Sequence, residues 1–203
     1  MIKIIDYGVG NLGSIKNVIK RVGGDSAITS IKNEILEADK LILPGVGSFD
    51  YGMNKLISLD LIDVLKYKVI DQKTPILGIC LGMQLMTKSS EEGNLKGLGW
   101  FDAKVVKFKR NNLSDKIPHM GWNTIDIKKK NSLLINISNL ERRFYFVHSY
   151  YVSSENKDNI LSTTNYINNF VSSIEKDNIY GVQFHPEKSH KFGMELISNF
   201  INI

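Results

Sequence analysis

The chain has 203 residues, a formal net charge of +5, 42% hydrophobic and 23% charged residues. That size supports one substantial core and a single domain over 1–203, no run nears the ~20 apolar residues of a membrane span, and Met1-Ile-Lys-Ile-Ile-Asp6 reads as a strand, not a secretory leader. The single cysteine, Cys80, excludes an internal disulfide and fits a reducing, cytoplasmic setting, and neither it nor the four histidines shows metal-ligand spacing.

In chain order, Ile2 to Ile5 is a strand, and Asn11 to Val22 carries apolar residues at helical spacing (Leu12, Ile15, Val18, Ile19, Val22) before Gly23-Gly24. A short strand near Ala27-Ile28, a short helix near Glu34 and a strand from Lys40 to Leu43 follow. Helical stretches at 50–58 and 60–71 lead to a strand, Ile76 to Ile79, and a helix from Leu81 to Lys88. Strands alternating with helices predict an α/β fold: a mostly parallel central sheet with helices on both faces. Shorter alternating runs at 103–109, 122–127, 142–147, 160–165 and 169–175 predict antiparallel strands extending that sheet, and 189–202 a closing helix. The lysine clusters (Lys104, Lys107, Lys109, Arg110; Lys128, Lys129, Lys130) carry one interleaved aromatic, Phe108, in the first and none in the second. They read as a solvated face with a modest capacity to dock an acidic partner surface, not as a nucleic-acid site.

The chemistry concentrates in Pro75-Ile-Leu-Gly-Ile-Cys-Leu-Gly-Met-Gln-Leu85, a buried strand, a Gly78-x-Cys80-x-Gly82 turn and a helix. This is the layout of a nucleophile elbow with cysteine in place of serine. A helix N-terminus behind the sulfur favours thiolate over thiol. Such a nucleophile needs a base and an orienting group. His185 ends the apolar run Tyr180 to Phe184, and Glu187 follows two residues later, so an extended backbone would put both side chains on one face. His148 also ends an apolar run but lacks a carboxylate two residues on, and His119 and His190 have weaker claims as bases.

These motifs resemble a class I glutamine amidotransferase domain of the Cys-His-Glu type. Four segments, Asp6-Tyr-Gly-Val-Gly-Asn-Leu12, Leu43-Pro-Gly-Val-Gly-Ser-Phe49, Pro118-His-Met-Gly-Trp-Asn123 and His185-Pro-Glu-Lys-Ser189, are together similar to those of the glutaminase subunits of imidazole glycerol phosphate synthase, and the resemblance covers essentially the whole chain.

The resemblance implies a flavodoxin-like fold, no cofactor, L-glutamine as substrate, and catalysis by Cys80, His185 and Glu187. It implies an oxyanion hole from Leu81 and the Val46-Gly47 loop, glutamine contacts at Gly45, Gly47, Gln84, Glu91, Ser149 and Tyr150, and an ammonia-accepting (β/α)₈-barrel cyclase subunit. Asn11, Pro118, Met120, Trp122 and Lys188 are the residues expected to face that partner in a heterodimer. The Asp6 to Asn11 turn, though glycine-rich, is expected to serve structure and interface, since Asp6 would repel a phosphate. Two rival readings share these motifs: a paralogous glutaminase supplying ammonia for amidino sugars of surface glycans, and a silent module that only binds a partner.

Overall fold

A computed structural model describes residues 1–130, 132–135 and 142–203. The first half alternates as β1 (Ile2–Ile5), α1 (Leu12–Arg21), β2 (Ser26–Thr29), α2 (Lys32–Leu36), β3 (Lys40–Leu43), α3 (Phe49–Ser58), α4 (Ile62–Lys66, continued by a π turn over Tyr67–Asp71), β4 (Ile76–Ile79) and α5 (Leu81–Leu85). The second half holds β5 (Ser89–Ser90), β6 (Ala103–Lys107), β7 (His119–Thr124), β8 (Asp126–Ile127), β9 (Arg143–His148), β10 (Tyr150–Ser154), β11 (Ile160–Asn165), β12 (Asn169–Lys176), β13 (Ile179–Val182), a 3₁₀ turn over Pro186–Lys188 and α6 (His190–Asn202).

The main sheet runs β2-β1-β3-β4-β13-β12-β10-β6-β5, with β11 against β12 and β8 against β11. Strands β2, β1, β3, β4 and β13 pair in parallel, while β13–β12, β12–β10 and β10–β6 are antiparallel. Period-two alternation divides the core between the two faces. Ile5, Leu41, Leu43 and Ile76 pack with α3 and α5, while Ile4, Ile42, Leu77 and Ile79 pack with α1 and α6. Among the described residues no helix is long and apolar enough to cross a membrane.

Three expectations are corrected. Strands β7 and β9 do not extend the main sheet; they form a separate antiparallel pair, in register from His119 opposite His148 to Thr124 opposite Arg143. Their alternation marks a buried face, which is local, but not which sheet they join, which depends on distant chain. Strand β10 lies where no strand was read. The elbow helix ends at Leu85 rather than Lys88, because its last carbonyls are taken by a returning loop: Leu85 O accepts from Leu98 N (2.8 Å), and Met86 O from Trp100 N (2.9 Å) and Phe101 N (3.1 Å).

Candidate active site

The alternation of β4 explains the turn that follows it. Gly78 faces the α3–α5 side, where a Cβ would come within 2.8 Å of Met83 N; one on Gly82 would sit 1.8 Å from Leu43 O. Only glycine lets α5 turn back this sharply onto β3 and β4. The strain falls on Cys80, with φ 52° and ψ −107°. Such a conformation persists only where its surroundings enforce it. Here Cys80 N donates to Val182 O (2.8 Å) and Gln84 N to Cys80 O (3.2 Å), fixing the residue between β13 and α5.

The segment leaving β13 carries the partner group. His185 Nδ1 donates to Glu187 Oε1 at 2.8 Å, and both side chains are buried. The expected geometry is corrected: Glu187 lies in the 3₁₀ turn, not in extended backbone, and Pro186 at its first position bends the carboxylate back toward the ring. His185 Nε2 is buried with no partner of hydrogen-bond geometry. Burial alone would lower the His185 pKa, but the negative charge at Cys80, and then the hydrogen bond and charge of Glu187, outweigh it and raise it from 6.5 to about 10. The imidazolium is the form of His185 this favours. Ser189, which the sequence marks only as the end of the His185–Ser189 segment, clamps the histidine: its hydroxyl donates to His185 O (2.6 Å) and accepts from Tyr145 N (3.0 Å).

Cys80 and His185 open on a cleft of about 500 Å³ lined also by Val46, Gly47, Leu81, Gln84, Glu92, Pro118, Ser149 and Tyr150. Gln84 uses both amide hydrogens on protein acceptors, Tyr150 O (3.0 Å) and Gln183 Oε1 (3.1 Å), so its carbonyl oxygen remains for a ligand. Glu91, expected here, lies outside the cleft: its backbone follows β6 (Glu91 N to Val105 O, 2.9 Å) and its carboxylate accepts from Lys107 N (2.8 Å). Glu92 takes the place at the cleft, accepting from Phe49 N (2.9 Å). The one-residue offset follows from the pairing of β5 with β6, which the sequence does not display.

The Pro44–Gly47 loop sits directly over the elbow. A Cβ on Gly45 would lie 2.7 Å from Tyr7 Oη and 2.8 Å from Leu81 Cβ. Tyr7, buried in the turn after β1, donates to Pro44 O, and burial, then the charge at Cys80, push its phenol pKa upward. The Leu81 N–H, expected as an oxyanion donor, is instead engaged by Gly45 O at 3.4 Å. Val46 is half exposed, and Gly47 adopts φ +100°.

Beside the cleft, β7 and β9 present the residues expected to face a partner. Met120 and Trp122 are exposed. Trp122 stacks on His190 (centroids 5.4 Å apart, planes at 8°), and Lys188 Nζ lies 5.6 Å from the Tyr145 ring centre. Asn11 caps α1, accepting from Ser14 N at 3.4 Å. Helix α1 packs on the Pro186–Lys188 turn, so Asn11 and Lys188 belong to neighbouring elements.

The family model "Glutamine amidotransferase class-I" matches residues 3–203. The chain belongs to the class I glutamine amidotransferases. It is 63% identical over 201 residues to the imidazole glycerol phosphate synthase subunit HisH 2 of Methanococcus maripaludis, covering 99% of this chain and 98% of that one. It is 47% identical to the subunit of the same name in Pseudomonas aeruginosa, over the full length of both. Within the amidotransferases it therefore belongs with the HisH glutaminase subunits. PurLQS from Thermotoga maritima contains the same fold, with TM-score 0.73 at 17% identity over 99% of this chain and 97% of the matching one.

Proposed function

We propose that this amidotransferase hydrolyses L-glutamine at Cys80 and passes the ammonia to the cyclase subunit of imidazole glycerol phosphate synthase, for histidine biosynthesis. One observation carries the reading: a strained Cys80 at an elbow shares its cleft with His185, itself held by Glu187 at 2.8 Å. The Cys80 thiolate attacks the carboxamide carbon, and the C=O electron pair moves to oxygen. Backbone donors of Leu81 and the Val46 loop hold that oxyanion. Protonated His185 gives its proton to the departing ammonia, leaving a γ-glutamyl thioester. Neutral His185 then takes a proton from water, which attacks the thioester and releases glutamate and the thiolate.

In the present arrangement the Gly45 carbonyl occupies Leu81 N–H. The anion gains that donor only when the Pro44–Gly47 loop turns. Docking of the cyclase against Met120, Trp122 and Lys188 is the event that would drive the turn. Without it the subunit lacks an oxyanion donor, a loss worth roughly 10²–10³ in rate.

The test is glutamine hydrolysis by the purified chain, alone and with a barrel cyclase plus its ribotide ligand. A large rise on mixing, absent in Cys80→Ala, supports the reading. Failure of a glutamine-analogue electrophile to label Cys80 overturns it. A second reading, ammonia supply to an amidino-sugar synthetase, requires the same chemistry at Cys80 and differs only in the acceptor. Labelling without any rise on mixing would favour that acceptor.

A further inference from the structure

Gln183 directly follows β13, two residues before His185, and is fully buried. Its Nε2 lies 3.6 Å from Cys80 Sγ. The orientation of this amide is forced by its neighbours. The Tyr150 carbonyl can only accept, so the Gln84 atom facing it at 3.0 Å is Nε2. The same Nε2 donates to Gln183 Oε1 at 3.1 Å. The nitrogen of Gln183 is thereby turned onto the sulfur.

The same carbonyl anchors a second branch. His148 Nδ1 donates to Tyr150 O (2.8 Å), so neutral His148 offers Nε2 as acceptor to His119 Nδ1 (3.0 Å), and His119 Nε2 accepts from Asn123 Nδ2 (3.2 Å). Burial holds both rings neutral, with pKa values lowered to about 3 and about 4. Every donor in the series is therefore assigned, from β7 to Sγ.

We infer that Gln183 is a positioning residue for the nucleophile, holding the Cys80 sulfur as an anion through an N–H···S hydrogen bond whose direction is set by Gln84 and the Tyr150 carbonyl. A neutral donor suits the site: it stabilises the anion without adding a positive charge beside the imidazolium of His185. A space-filling role would be met by an apolar side chain at lower desolvation cost. The inference rests on Cys80 being the nucleophile.

The test alkylates Cys80 in the full chain with iodoacetamide across the thiol titration range, comparing the parent with Gln183→Met and Gln183→Glu. The charged and titratable groups around the sulfur (His185 with Glu187 behind it, Tyr7, His148 and Glu92) are common to all three proteins. In Gln183→Met the pH midpoint of alkylation moves up by about 1 unit, tenfold less thiolate below it. Gln183→Glu, which still accepts from Gln84 but places a carboxylate at the sulfur, moves it further. With the cyclase present, kcat falls by about the same factor while KM holds. Packing alone would lower thermal stability and leave the midpoint in place. A folded Gln183→Met or Gln183→Glu variant whose midpoint coincides with the parent's overturns the inference. A parent chain never labelled at Cys80 would instead overturn the glutaminase reading beneath it.

Discussion

At the scale of single residues, Cys80 first and Glu187 after it set how far up the pH scale His185 keeps its proton. Burial pulls the imidazolium down, and Cys80 with Glu187 raises it to about 10. Proton delivery to ammonia needs the charged ring, so kcat should hold well into the alkaline range. Glu187→Gln keeps an acceptor and removes the charge. Its alkaline limb should move to lower pH by about 1 unit or more, read from the pH profile of kcat with saturating glutamine. An unmoved limb would mean that another group delivers the proton. Ser189→Ala addresses position instead of charge. It leaves His185 O and Tyr145 N without their shared hydroxyl, at roughly 1–3 kcal/mol. For a chain of this length each kcal/mol corresponds to about 2–4 °C in Tm, measurable by calorimetry. An unchanged Tm would show that water replaces the hydroxyl.

At the scale of elements, the elbow was legible because its cause is steric and local. A strand, two glycines and a helix can pack this way only if Gly78 and Gly82 lack side chains. The alternation of β1 to β4 was legible for a similar reason, since each strand contributes alternate residues to two cores. The β7–β9 pair was not, because antiparallel partners 29 residues apart, as His119 and His148 are, leave no local trace. Gln183 and Tyr7 went unread for the same reason: inside apolar or turn segments, their targets are Cys80 and Pro44, far along the chain. The Glu91 position was misread by one residue through the β5–β6 register. The Pro44–Gly47 loop offers the clearest test at this scale. Gly45→Ala would drive its Cβ against Tyr7 Oη and Leu81 Cβ, lifting the loop off the elbow without touching the sulfur. Cyclase-stimulated glutaminase should fall by roughly 10² or more while Cys80 remains alkylable. Full activity would remove the loop from the oxyanion hole.

At the scale of the whole molecule, the buried His119–His148 pair ties stability to pH with a definite sign. Their folded pKa values, about 4 and about 3, lie below the ordinary 6.5. Below pH 6.5 the unfolded chain therefore binds protons that the folded chain refuses, and stability falls as pH falls. The contribution is whole above 6.5 and drains away toward about 4 and then about 3. His185 has the opposite sign: its raised pKa gives stability that is present below 6.5 and lost only as pH climbs through about 10, so it leaves the acid limb alone. The carboxylates of Glu34 and Asp39, held low by Thr29 and Lys3 and by the N-terminal ammonium respectively, act below their own ordinary range of 4.5 and 3.8. The interval between about pH 5 and 6.5 thus belongs to the two histidines, each contributing a slope approaching roughly 1 kcal/mol per pH unit. Urea unfolding at several pH values should show this slope. His119→Asn should reduce it by about half, because one of the two proton sites is then gone. A slope equal to the parent's in that variant would show that the pair takes up protons without unfolding, and that β7 and β9 separate to hydrate them.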